Sequence, residues 1–138
     1  MNYSRIERLT AAQIDDLYQL YRGEWWCRDR QRADLEAMLA HSDVTLGFCT
    51  ESGRLVAFTR LLSDQIYQAI LFDVIVHPQH RGQGLGRALI EAALQHPAVV
   101  NVETVTLFCR SEMIPFYQKW DFAALRAEIH ARRRRRSA

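Results

Sequence analysis

The chain has 138 residues, 49% hydrophobic and 25% charged, with six glycines and three prolines, a composition that excludes a disordered, collagenous or fibrous protein. At this length about 70% of the unfolded surface can be buried, so one core suffices without disulfide or metal staples. Five of the eighteen basic residues form one run, Arg132 to Arg136, and the net charge of +2 less those five leaves a body at −3. A body of that sign argues against a large nucleic-acid face; the run reads as a solvated tail, with an anion- or nucleic-acid-binding arm as the other reading. Cys27, Cys49 and Cys109 are odd in number and form no CxxC pair, which points to a reducing compartment rather than a disulfide framework or zinc knuckle. No apolar run reaches the roughly 18 residues of a spanning helix, and MNYSRIERLT lacks a signal-peptide core. The expectation is a soluble cytoplasmic protein with one domain over 1–130 and a tail over 131–138.

In chain order, Thr10-Ala11-Ala12-Gln13 matches a capping box, and Ile14, Leu17, Tyr18 and Tyr21 follow at helical spacing, which predicts a helix over about 11–22 ending near Gly23. An aromatic connection, Glu24-Trp25-Trp26-Cys27, leads to a second helix carrying Leu35, Met38 and Leu39. From Val44 the pattern becomes that of strands: VTLGFCT and RLVAFTRLL flank Glu51-Ser52-Gly53 as a hairpin, and a third strand runs from Tyr67 to Val76. Its stretch AILFDVIV is apolar except for Asp73, the pattern of a central strand covered on both faces. After Pro78 comes RGQGLG, followed by Leu85, Ala88, Leu89, Ala92 and Ala93 as one apolar stripe of a helix that His96-Pro97 ends. ETVTLFC reads as the next strand, parallel to the third because a helix intervenes. A last helix starts near Ser111 with Pro115 in its first turn, and Phe122 to about His130 reads as an edge strand.

The chemistry centres on the strand–loop–helix passage from Val74 to Arg87. Three glycines within five residues permit a tight turn and clear the way for a ligand, and the unpaired amides of a helix start, aided by the helix dipole, form a cradle for a pyrophosphate. The bland alternative is a turn that needs glycine for its geometry alone. Lys119 is the sole lysine, so no P-loop is possible, and a GxGxG run in mid-chain leaves no room for two βαβ halves, which disfavours a dinucleotide fold although Glu103 sits about where its ribose-binding acid would.

These residues resemble the pyrophosphate motif of the GNAT acyltransferases: Arg or Gln, two residues, Gly, one residue, then Gly or Ala. Gln79xxGly82xGly84 and Arg81xxGly84xGly86 both fit, and the position after the strand favours the second. Pro115-Phe116-Tyr117-Gln118-Lys119-Trp120-Asp121-Phe122 resembles the family's second signature, with Asp121 in place of its usual glycine. Arg110 stands where many relatives have asparagine. The resemblance covers residues 5 to 130 and implies an α/β (α+β) fold: a mixed, mostly antiparallel sheet of about six strands, about four flanking helices, and a parallel strand pair splayed at the acetyl-CoA site.

The resemblance also implies roles. Acetyl-CoA is the co-substrate, its pantetheine lying along Val74, Ile75 and Val76 and its pyrophosphate on the amides of Arg81, Gly82, Gln83, Gly84, Leu85 and Gly86, with Arg87 beside them. Tyr117 is the general acid that protonates the departing thiolate; its other reading is a core residue of its helix. Asp73 is a candidate general base, its pKa raised by desolvation, with a structural carboxylate as the alternative and Glu24 as a second candidate base. Glu24, Trp25 and Trp26 fall where the family's first helix connection covers the acceptor, and the tryptophans form either an aromatic wall for an amine or a cap on the core. His77 and His80 read as loop or phosphate contacts; no metal is implied. The expected activity is N-acetyl transfer to a primary amine of a small molecule or peptide, in a monomer or homodimer, with a non-catalytic acyl-CoA sensor as the alternative.

Overall fold

The computed structural model describes residues 2–125 and 128–133. The chain divides into two compact units, one ending at Phe108 and the other beginning at Cys109. The first holds one five-stranded sheet in the order β1-β2-β3-β4-β5. Its elements are β1 (Ser4–Ile6), α1 (Ala11–Arg22), α2 (Leu35–Ala40), β2 (Val44–Cys49), β3 (Leu55–Ser63), β4 (Gln68–Val76), α3 (Leu85–Gln95) and β5 (Thr104–Leu107).

Helix α1 begins where the capping box predicts. The Gln13 amide donates to Thr10 Oγ1 (3.2 Å) and the Thr10 amide to Gln13 Oε1 (2.9 Å), so two donors at the helix start have partners. Its apolar stripe, Ile14, Leu17, Leu20 and Tyr21, packs with Leu35, Leu55, Phe58 and Ile75 in one core. Leu85, Leu89, Ile90 and Ala93 bury one face of α3, which packs on β2, β3 and β4.

Both α1 and α3 pack on β3, whose residues 55–59 are buried at consecutive positions. That is the pattern of a strand with a layer on each face. The sequence assigned this place to AILFDVIV. In β4, however, Ala69, Leu71, Asp73 and Ile75 are buried while Ile70, Phe72, Val74 and Val76 are half-buried, because apolar composition does not separate a half-covered face from a covered one. Helices and strands otherwise fall within a residue or two of expectation, and β4 and β5 pair in parallel. β1 gave no signal, since three residues are too short to show a period.

In the second unit, α4 (Ile114–Gln118) follows a single 3₁₀ turn over Ser111–Met113. Asp121 has φ 66°, the left-handed conformation that the family's glycine would supply and that Asp tolerates better than most residues. The expected edge strand is corrected. Residues 122–125 and 128–130 are in no strand, and 126–127 lie outside the described residues; weak alternation without a paired neighbour does not make a strand. Arg132 and Arg133 are exposed without regular structure, and Arg134, Arg135 and Arg136 lie outside the described residues.

Candidate functional site

Pairing between β4 and β5 runs from Gln68↔Thr104 to Leu71↔Leu107 and stops there, so among the described residues no strand pairs with the outer edge of 72–76 in β4. On the inner edge the His77 amide donates to the Val56 carbonyl (2.8 Å). Antiparallel alternation then turns the main chain of Ile75 toward Phe58 and that of Val76 outward. Consistent with this, the Val76 carbonyl accepts from Arg81 Nε at 3.2 Å. Of the three predicted pantetheine residues, Ile75 offers a ligand least: its side chain is buried and its main chain faces β3.

The β3–β4 register shifts by one residue between Phe58 and Arg60, leaving Asp73 and Val74 opposite Thr59. This is a β-bulge. Asp73 adopts φ 58° there, and Thr59 Oγ1 donates to the Phe72 carbonyl at 2.8 Å.

Beyond β4 a 3₁₀ turn over Pro78–His80, whose Gln79 amide donates to His77 Nδ1 (3.1 Å), delivers the chain to the glycine loop. Gly82 and Gly84 have φ 77° and 79°, positions where a side chain would strain the backbone. No atom lies within 4 Å of where a Cβ would stand at either, so conformation rather than crowding requires glycine and the space above the loop is open. The first main-chain bond inside α3 is from the Ala88 amide to the Gly84 carbonyl (3.0 Å), so the amides of Leu85, Gly86 and Arg87 have no partner within the helix. With the positive end of the helix dipole they form an anion cradle whose free donors and open space fit a pyrophosphate. Gln83 lies in the turn itself. Arg87 extends to Glu91 (3.0 Å) on the exposed helix flank.

Arg81 ties this loop to the α1–α2 connection: its Nη2 lies 3.0 Å from Glu24 Oε1. Predicted acceptor and cofactor residues therefore meet. Trp25 is 58% and Trp26 38% exposed, so neither caps the core; Arg30 stands 5.6 Å from the Trp26 ring centre.

The sequence expects Asp73 to be a carboxyl raised by desolvation, and the structure corrects this. Burial does push it up, but the guanidiniums of Arg30 and Arg60 outweigh burial and hold it below the usual carboxylate range. Asp73 Oδ2 accepts from Arg30 Nη1 (2.7 Å), Arg60 Nε (2.8 Å) and the Tyr21 hydroxyl (2.9 Å), while Oδ1 accepts from Arg30 Nη2 (3.1 Å). Burial, reinforced by the Asp73 charge, pushes the Tyr21 phenol far above its ordinary value. The clamp joins α1, the α1–α2 loop, β3 and β4. Sequence reasoning missed Arg30, Arg60 and Tyr21; the available signal was one cation and one anion in two otherwise apolar strands of a hairpin.

Cys27, in the same loop, is buried, and burial pushes its thiol up to about 11, so it carries no thiolate at neutral pH. His77 is lowered by burial and by the charge of Arg54. Among the described residues no cluster of three His, Cys, Asp or Glu side chains is placed to hold a metal, and no helix is long and apolar enough to cross a membrane.

In the second unit Tyr117 packs edge-on against Phe116 (5.1 Å between centres) and Phe122 (6.0 Å). Burial pushes its phenol up to about 12, with Cys109 adding to the rise.

The family model for GNAT acetyltransferases matches residues 11–122. An uncharacterized N-acetyltransferase of Porphyra purpurea, ycf52, is 31% identical over 110 residues, 78% of this chain and 63% of that protein. The rice serotonin N-acetyltransferase 2, chloroplastic, is 33% identical over 97 residues, 68% of this chain and 48% of that protein. The chain thus spans about two thirds or less of the curated relatives it matches. A crystal structure of a GNAT-family acetyltransferase from Xanthomonas campestris pv. campestris superposes with a TM-score of 0.81 at 26% identity, covering 95% of this chain and 94% of that one. With the glycine cradle, the open β4 edge and a family match running through α4, the chain belongs to the GNAT acetyltransferase family.

Proposed function

We propose that the protein transfers an acetyl group from acetyl-CoA to a primary amine by direct attack, its two units acting as one acetyltransferase domain. The observation that carries this reading is the open outer edge of β4 leading straight into the glycine loop and the first amides of α3, which have no partner within the helix. Pantetheine pairs with the outward main chain of Val74 and Val76, and the pyrophosphate rests on the amides from Arg81 to Arg87, where glycine backbone makes the approach possible. Within the substrate complex, main-chain N–H groups at the β4 bulge polarise the thioester carbonyl. The amine arrives neutral, attacks that carbon, and the C–S bond breaks as the tetrahedral intermediate collapses.

Tyr117 is the group proposed to meet the departing thiolate. With its phenol pushed up to about 12, it is fully protonated at neutral pH, a property that supports a donor. Full transfer to a thiolate whose conjugate acid lies near about 8.5 runs uphill, so its contribution is a hydrogen bond that strengthens as sulfur gains charge. Asp73, saturated by two guanidiniums and a phenol, is read as the residue that fixes the bulge rather than as the base. Deprotonation then falls to solvent or to Glu24.

The test is Tyr117→Phe under thiol-release kinetics across a panel of primary amines: kcat falls roughly 10²-fold with acetyl-CoA affinity unchanged. Unaltered turnover removes Tyr117 from the mechanism. Coenzyme A uptake without thiol release from any amine points instead to a non-catalytic acyl-CoA sensor.

A further inference from the structure

The α1–α2 loop carries a cleft of about 430 Å³ lined by Tyr18, Arg22, Arg28, Asp29, Arg30 and Gln31. We propose that this cleft binds an acidic group, a carboxylate or a phosphate, on the amine acceptor, so that the molecule acetylated is anionic or zwitterionic. The inference rests on the acetyl-transfer reading and specifies its acceptor.

Three observations carry it. First, the rings beside the cleft, Tyr18 and Trp26, already carry cations of the chain itself. Arg22 stands 5.7 Å from the Tyr18 ring centre, and Arg30 stands 4.6 Å from Tyr21 and 5.6 Å from Trp26. A polyamine or a basic peptide would meet a guanidinium at Trp26, half of the expected aromatic wall.

Second, the local charge is positive and incompletely answered. Asp29 is the one carboxylate in the lining, and Asp73, which holds Arg30, is shared with Arg60. Three guanidiniums, Arg22, Arg28 and Arg30, thus line the cleft beside the single carboxylate of Asp29, inside a body whose charge without the terminal arginine run is −3, five below the +2 of the whole chain. Arg22 donates to the Tyr18 hydroxyl (3.0 Å), and among the described residues neither Arg22 nor the exposed Arg28 has an ion pair. Free guanidinium forks match the two oxygens of a carboxylate or phosphate better than any other side chain does.

Third, the cleft is joined to the site. Arg30 lines it and also grips Asp73 at 2.7 Å, next in sequence to Val74 on the open edge of β4. An acceptor with its acidic end among Arg22, Arg28 and Arg30 therefore has its other end directed along the loop toward the proposed thioester line.

The test titrates O-phosphoethanolamine, β-alanine and ethanolamine, matched amines with a phosphate, a carboxylate and neither, into the protein by calorimetry. Coenzyme A is present at saturation so that the α3 cradle is filled. One of the two acidic amines is expected to bind at least about tenfold more tightly than ethanolamine, and its chemistry identifies the preferred acid. The double substitution Arg22→Gln with Arg28→Gln should erase that difference, Arg22→Lys with Arg28→Lys should restore part of it, and coenzyme A uptake should be the same in all forms. Equal binding of the three amines overturns the inference. So does a preference that survives the double substitution, or the absence of uptake of either acidic amine up to about 50 mM. Failure of coenzyme A to bind strikes the acetyl-transfer reading instead, and the same amine titration on the free protein still decides the cleft.

Discussion

The two edges of β4 present opposite ways of using polar groups. On the inner side the main chain of Ile75 and His77 faces β3, and the carboxylate of Asp73 accepts four hydrogen bonds from Tyr21, Arg30 and Arg60. On the outer side pairing ends at Leu71, and the chain passes to a loop and helix start whose amides have no partner within α3. A buried polar group without a partner is costly, so full satisfaction marks the side that holds the fold together. The other side keeps donors in the open, where a ligand can complete them. The difference also explains why Asp73 is no base: it belongs to the satisfied side, its carboxylate held below the usual range by Arg30 and Arg60.

The largest expected effect falls on the satisfied side. Asp73→Asn leaves Arg30 and Arg60 short of a counter-charge in surroundings where their side chains are 31% and 15% exposed, and it should cost about 3 kcal/mol in chemical denaturation, the low end for a broken buried pair because Arg30 still reaches water. The same pairing fixes an acid limb. Because the folded state holds the Asp73 carboxyl below its unfolded value, its stabilisation is complete above about pH 4 and is lost as pH falls through the folded pKa. Asp73→Asn should flatten that limb; an unchanged acid limb would remove the clamp from the stability of the fold.

Next in size is the loss of turnover in Tyr117→Phe, and after it the binding defect of the open side. Gly84→Ala meets no neighbouring atom but must hold φ 79°, at a cost of about 1–2 kcal/mol. Coenzyme A affinity should fall roughly tenfold as the turn relaxes away from the cradle geometry, while the variant stays folded. Unchanged affinity would mean that the loop does not need this conformation to bind. The acid preference of the Arg22 and Arg28 cleft, about tenfold in amine binding, sharpens the comparison furthest from the cradle.

Much of this architecture is written locally. Thr10 and Gln13 announce α1, Gly82 to Gly86 announce the turn into α3, and the intervening helix announces that β5 runs parallel to β4. These signals span a few residues each, so one sequence carries them. The clamp is different in kind: Tyr21, Arg30 and Arg60 reach Asp73 across 52, 43 and 13 positions, and nothing in periodicity or composition ties such distant residues together. Arg60 was nonetheless within reach, because the hairpin from β3 to β4 places it opposite Phe72, one residue from Asp73. The strand expected over 122–130 failed for the converse reason, as alternation was read there without a partner strand to pair with.

The account stands or falls on whether the open side of β4 and the glycine loop receive coenzyme A. Backbone amide resonances followed by NMR during a coenzyme A titration report this residue by residue. The account predicts that the largest shifts fall on the amides from Gly82 to Arg87 and on Val74 and Val76, with Asp73 and its partners little changed. Shifts confined to other residues, or none at millimolar coenzyme A, would contradict it.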